Sequence, residues 1–467
     1  MDFEGEPMSA FRFWVGIVLV VVAIPGRADD ASVSSADVRA AMHRATEFMT
    51  SKVAVNGGYV YQVSANLKQR EGEGKATPTE VWVQPPGTPT VGLAFLRAWQ
   101  ATQDGIYLKA ARDCAAALMH GQLKSGGWTD RVDFDADGQH ADQYRNGKGR
   151  VKGRNYSTLD DDKTQAALRF LIELDRELKF EDAAIHESVE YALESLLRAQ
   201  FANGGFPQGW SKPVEPGVAV KASYPQYDWK TEGRFKNYWD FPTLNDGLAG
   251  TVTETLELAY QTYKDERYRV AMVRFGDFLI LAQMPEPQPG WAQQYNHQLQ
   301  PIWARKFEPP SVVGSESQDV TETLLFLGQT TGEKRFLDPI PSAIGWLKRS
   351  QLPDGQIARF YELQTNRPLY FVKDTYELTY SDDNLPTHYG FKGKSRIDRL
   401  AEQYESQRRG DAPKVRRPNV KSLSRDAQRI LAEQDESGRW LTDGQIQSSV
   451  FAKNMNQLAE YLLAAHR

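Results

Sequence analysis

The 467-residue chain has a single cysteine, Cys114, so no intramolecular disulfide can form, and stability must come from burial of a core. A cysteine-based zinc cluster is excluded for the same reason. There is no basic excess either: 56 lysines and arginines stand against 61 aspartates and glutamates, a net charge of −5, which argues against a nucleic-acid partner. Paired histidines at metal-binding spacing are missing, and the period-2 alternation of half-buried strands is rare. Long apolar runs are confined to one place, Phe13 to Pro25, which is short for a membrane span. Arg12 precedes it, and Gly26 and Ala28 stand at the −3 and −1 positions of a cut before Asp29. Residues 1–28 are therefore expected to be a signal peptide, and the mature protein to be secreted or periplasmic, with no other membrane association.

What the sequence does contain is a repeat. Gln-x-x-x-Gly occurs at Gln122/Gly126, Gln200/Gly204, Gln351/Gly355 and Gln434/Gly438, with a longer variant from Gln283 to Gly290-Trp291 and an N-terminal relative at Asn56-Gly57-Gly58-Tyr59. The words recur about every 80 residues, six times. Each follows an apolar stripe of helical period: Ile185, Val189, Ala192, Leu193, Leu196 and Leu197 precede Gln200, and Tyr268 to Gln283 repeats the pattern. A second stripe follows each irregular stretch, as in Ala167, Leu168, Leu171, Ile172 and Leu174, or Thr251 to Tyr263. The fold class is all-α. Six helical hairpins either stack as an open solenoid or close into an α/α toroid, which would gather the long inserts around one mouth. The glycines are expected to supply left-handed turn residues, and the aromatics after them to plug gaps between hairpins. A helical body over residues 29–401, a basic linker over 402–421 and a last helical unit over 422–467, read as the final repeat, complete the expected organisation.

Two sets of residues can carry chemistry. The inserts hold Gln294-Tyr295, Arg305 in Trp303 to Ser311, and Arg359, Tyr361, Arg367, Lys373 and Asp374 in Ala358 to Asp374. Cations interleaved with aromatic rings suit a polyanionic sugar, because cations pair with carboxylates and rings cover pyranose faces. Opposite in sign are Asp160-Asp161-Asp162 and Asn245-Asp246, each just before a helix. One such residue serves as an N-cap, but three consecutive carboxylates exceed what a cap needs, and hard oxygen ligands favour calcium. His297 and His388 lack a metal-spaced partner and read as structural or substrate contacts.

These words together resemble the family 10 polysaccharide lyases, the pectate or pectic acid lyases. Asn203 to Gln208, the helix starts Thr158-Leu159-Asp160-Asp161 and Thr243-Leu244-Asn245-Asp246, the Trp303 to Ser311 run and Arg359 to Asp374 carry the resemblance, over roughly Asn56 to Phe391. It implies an α/α toroid and calcium-assisted β-elimination on an acidic polysaccharide such as polygalacturonate, by a monomer. By position, Asp160 or Asp161 with Asp246 would hold Ca2+. Arg305 and Arg359 would bind substrate, with Arg367, Asp374, Tyr361, Gln294 and Tyr295 as further contacts. Lys373 fills the place of the family's catalytic arginine and would be the base. A lysine base must lose its proton, which burial, nearby cations or alkaline medium would favour. Asp161-Asp162-Lys163-Thr164 also departs from the family's usual Asn-Gly-Ala-Thr. A terpene-cyclase-like protein fits less well, since Leu159 breaks the Asp-x-Asp-Asp register and a cationic mouth repels a carbocation. A polyuronate-binding protein without catalysis is the non-enzymatic alternative.

Overall fold

A computed structural model describes residues 33–214, 219–412 and 419–465. The expected signal peptide lies outside them, and among the described residues no helix is long and apolar enough to cross a membrane. Twelve α-helices are described. One set, α1 (Ser35–Phe48), α3 (Gly105–Gly121), α5 (Ala183–Arg198), α7 (Glu266–Leu281), α9 (Ile340–Ser350) and α11 (Val420–Glu433), alternates with α2 (Thr88–Thr102), α4 (Lys163–Glu177), α6 (Leu248–Tyr263), α8 (Gly314–Thr331), α10 (Ile397–Arg408) and α12 (Ser448–Ala465).

The links from α2 to α3 and from α6 to α7 are tight. Gln103 and Lys264 end α2 and α6 in the left-handed region, and Asp104 and Asp265 then cap α3 and α7, accepting from Ile106 and Arg267 N–H at 3.2 and 2.9 Å. Links from odd to even helices are the long inserts. Their folding follows from the glutamine word. Gln122, Gln200, Gln283 and Gln434 each donate from Nε2 to a carbonyl in their own turn and to a second carbonyl on the next odd-numbered helix or its cap: Ser188, Ala271, Pro339 and Ala41. The last of these ties the final repeat to the first. Trp128, Trp291 and Trp440 plug the hairpins as expected, each indole N–H donating to a carbonyl near the end of the preceding helix.

Among the even-numbered helices the packing runs in one series, α12 on α2, α2 on α4, α4 on α6, α6 on α8 and α8 on α10, so the last helix of the chain packs on the first of its set. Strands occur only as pieces of two to four residues within the inserts, and they stitch adjacent inserts together. Glu80–Trp82 pairs with Arg131–Asp133, Ser157–Thr158 with Gly209–Trp210, Val312–Val313 with Phe360–Tyr361, and Gln62–Ser64 with Gln445–Gln447. Sequence alternation could not signal them, because each is too short to show a period.

Two boundaries differ from expectation. The break placed at 401/402 falls inside α10, so the basic stretch is helical as far as Arg408. The last helical unit, placed from 422, has its first helix begin two residues earlier, at Val420, and α11 packs with α12 against α1 and α2.

The turn glycines Gly126, Gly204 and Gly438 sit where an odd-numbered helix passes close by. Gly204 has φ +92°, and a Cβ there would lie 2.0 Å from the Arg274 carbonyl oxygen on α7. Gly204→Ala should therefore lower stability by about 1–3 kcal/mol through strain and displaced packing. A chemical-denaturation midpoint equal to that of the parent protein would contradict this.

A candidate active site of carboxylates and arginines

The turn Thr-Leu-Asp/Asn-Asp occurs twice and folds identically. Thr158 and Thr243 accept the backbone N–H of Asp160 and Asn245 at 3.1 and 3.2 Å. The next residues, Asp161 and Asp246, take the left-handed conformation at φ 47° and 51°, which aspartate tolerates better than most side chains. The two turns lie against each other. One oxygen from each of Asp160, Asp161 and Asp246 comes within 4.8 Å of the other two. None of this is capping. Asp162 stands at the N-cap of α4 without a side-chain cap bond, and its carboxylate pairs instead with Arg169.

Each carboxylate is differently neutralised. Asp160 accepts from Gln208 Nε2 at 2.6 Å and Lys163 Nζ at 2.7 Å. Against the upward pull of burial, these donors hold it below the usual carboxylate range. Asp161 accepts from Gln84 Nε2 at 3.3 Å, with Lys163 at 3.5 Å, and is raised by burial and by the charge of Asp160. Asp246 is pushed up to about 8 by burial and by Asp161, Asp160 and Glu316, with Arg359 opposing. Close carboxylates of this kind resist full ionisation unless a cation joins them. Two buried amide oxygens of residues bonded to the cluster, Gln84 Oε1 and Asn245 Oδ1, have no hydrogen-bond partner.

Two arginines come from later inserts. Arg359 reaches Asp246 at 3.7 Å and the buried Glu316 at 3.5 Å. Arg305 is held by Glu308 through Nε at 2.8 Å, and Glu308 also accepts from Gln293 at 2.8 Å and Tyr389 at 2.9 Å. The Tyr389 ring lies under both guanidinium groups, at 4.3 Å from Arg359 and 5.3 Å from Arg305. Burial would lower the Arg305 pKa, but Glu308 outweighs it and raises the group well above its ordinary value. Arg305 is electrostatically coupled to both Asp246 and Asp160.

Other expected residues are placed differently. Tyr295 and Tyr361 are fully buried, and their hydroxyls donate to the Ala282 and Ser350 carbonyls at 2.8 and 2.6 Å. Both are plugs at helix ends and cannot touch substrate. Gln294 is buried and donates to the Tyr238 carbonyl at 2.9 Å and to Gln208 at 3.4 Å, behind Asp160. Arg367 is exposed and stacks on Tyr380, away from the carboxylates' own partners. Lys373 and Asp374 are exposed in the hairpin turn after Pro368–Phe371, where Lys373 is fixed only through its backbone, to Asn384 and Thr375, and its side chain makes no hydrogen bond or ion pair. The expected base is thus not held against the acidic triad. His297 packs between Phe201 and Phe241, and His388 against Phe307.

Lys163, Gln208, Glu308, Glu316 and Tyr389 went unassigned in the sequence. Glu308, three residues after Arg305, had a legible spacing; Tyr389 and Glu316 are joined to the site only by the fold.

Repeated helical hairpins thus carry in their inserts an acidic triad and two arginines that share one tyrosine ring. The family model for pectic acid lyase matches residues 122–358, slightly more than half of the chain, and the chain belongs to that family. Among solved structures, it is similar to a family 10 polysaccharide lyase from Cellvibrio cellulosa at 19% identity and TM-score 0.47, covering 69% of this chain and 97% of that one. A mutant of that lyase in complex with trigalacturonic acid matches at 19% identity and TM-score 0.46, covering 68% and 98%. Cellobiose 2-epimerase from Spirochaeta thermophila matches at 14% identity and TM-score 0.46, covering 93% and 98%. No curated protein gives a significant match.

Proposed function

We propose that the protein is an exported polysaccharide lyase on an α/α toroid, which cleaves pectate or a related polyuronate by calcium-assisted β-elimination. The carrying observation is the convergence of Asp160, Asp161 and Asp246 within 4.8 Å, beside Arg359 and Arg305 from two further inserts. Family membership supports the substrate class, and the packing of the last helices on the first, with the Gln434 bond to the Ala41 carbonyl, supports the toroid.

The donor set fits calcium. All its atoms are hard oxygens, the carboxylates crowd closely enough to oppose one another's ionisation, and buried amide oxygens lack partners beside them. Asp161 and Asp246, with Asp160, would hold the ion. When bound, calcium would neutralise a substrate carboxylate and so lower the cost of the charge that develops during elimination. Arg359, already shared between Asp246 and Glu316, orients a uronate carboxylate through its remaining donors.

Elimination then requires a base to take the C5 proton, the C4–C5 double bond to form and the C4–O4 bond to break, with O4 leaving. Arg359 and Lys163 are engaged by carboxylates of the cluster. Arg305 is gripped from one edge by Glu308 and leaves Nη1 without a protein partner. It is the base in this reading, in place of Lys373. Only its neutral form accepts a proton, and Glu308 disfavours that form, so turnover should climb with pH through the alkaline range. Glu308→Gln removes the charge that stabilises protonated Arg305. Its pH–rate profile should shift to lower pH by about one unit or more, and an unshifted profile would exclude Arg305 as the titrating base.

Incubation with polygalacturonate and calcium at alkaline pH tests the whole reading. The ultraviolet band of a 4,5-unsaturated uronate should grow, and a chelator should stop it. New reducing ends without that band would mean hydrolysis. Binding without either would leave a carbohydrate-binding protein.

A further inference from the structure

Lys163 is an anomaly in its own helix. It is the first residue of α4, so its positive charge sits at the positive end of the helix dipole, and its side chain is only 7% exposed. Both placements disfavour an ammonium, and helix stability gives no reason for it. The reason lies across the turn, where Nζ meets Asp160 at 2.7 Å and Asp161 at 3.5 Å. The left-handed Asp161 and Asp162 reverse the chain just before α4, which lets its first side chain fold back onto the carboxylates that precede it.

A charge count shows what the ammonium does. Four carboxylates, Asp160, Asp161, Asp246 and Glu316, share the cluster, and two side-chain cations, Lys163 and Arg359, pair with them. Asp162 is neutralised by Arg169 and Glu308 by Arg305, while Glu73 is exposed to solvent. With all four carboxylates ionised, two negative charges remain, which one divalent cation balances. Without Lys163 there would be three.

We propose that Lys163 is a tethered cation that restricts the Asp160–Asp161–Asp246 cluster to a single divalent ion and weakens its hold on that ion. This rests on the calcium reading above. The ammonium occupies oxygens that a metal would otherwise use and repels the metal directly. Lys163 is a positioning and affinity-setting residue, and it touches no reacting atom. Its consequence is an ion that exchanges with solvent and binds firmly only when a substrate carboxylate is present to share it.

The test uses the full chain freed of metal and titrated with calcium by calorimetry and with terbium by luminescence. Wild type should bind one ion. Lys163→Met should bind calcium roughly tenfold more tightly or better. Its metal-free form should melt lower than wild type, and calcium should raise its Tm by more. Lys163→Arg, which keeps the charge, should stay within a few-fold of wild type. Lys163→Gln, which keeps a donor to Asp160, provides the same comparison should the methionine variant not fold. A folded neutral variant that binds calcium no more tightly than wild type overturns the proposal and leaves the lyase reading intact, as does a wild type that binds two ions. If wild type and variants all fold yet none binds calcium, the calcium reading itself has failed and takes this inference with it.

Discussion

Arg305→Ala is expected to reduce turnover on polygalacturonate by about 10²–10⁴-fold, the contribution usual for a positioned general base. KM should change far less, since Arg359 and the acidic triad still hold the uronate. Lys373→Ala should remain within a few-fold of wild type, because that side chain is exposed and makes no bond that positions it. The pair of variants separates the two assignments. A lyase that survives the loss of Arg305 but not of Lys373 would restore the lysine as base. Truncating Arg305 also strands Glu308, which is 2% exposed, and an unpaired buried carboxylate costs about 3–5 kcal/mol. Arg305→Lys is therefore the necessary companion. It keeps a charge beside Glu308 while losing the planar stack on Tyr389 and Phe307, so it should fold normally and still turn over poorly.

The reason one assignment was legible in the sequence and the other was not is physical. Asp161 and Asp246 occupy equivalent places in two copies of one local turn, so their spacing in the chain already fixes their conformation, and adjacent repeats bring the copies together. The Gln-Gly words were legible for the same reason: each closes its own turn through a hydrogen bond four residues away. Lys373 has the right neighbours in sequence, but its reach depends on how a long insert folds, and the turn at Lys373 to Tyr376 leaves it at the surface. Tyr295 and Tyr361 show the converse. An aromatic beside polar residues in an insert reads equally well as a sugar platform or as a plug, and only the carbonyl at the end of the preceding helix decides for the plug. Lys163 was visible as a departure from pattern, yet its meaning required the backbone reversal at Asp161 and Asp162.

Asp246→Asn should have opposite effects on metal binding and on metal-free stability. Calcium affinity is expected to fall by about 100-fold, since a charged ligand is lost from a site with few, and lyase activity at limiting calcium should fall with it. In chelator, however, the variant should be the more stable protein. The folded-state pKa of Asp246 is pushed up to about 8, above its unfolded value, so the folded form binds the proton more tightly. Ionising it penalises the folded state, and wild-type stability is lost progressively as pH rises from about 4 to about 8. The amide carries no such penalty. The difference should vanish near pH 4 and reach a few degrees in Tm by pH 8.5. Arg359 loses one partner in the variant but keeps Glu316 at 3.5 Å, so no guanidinium is stranded. Adding calcium should reverse the order, because wild type gains the bound ion and the variant gains little. Melting both proteins across pH, with and without calcium, reads all of this. A variant less stable than wild type in chelator at pH 8.5 would make Asp246 a structural carboxylate, and the cluster could then no longer be read as a cation site.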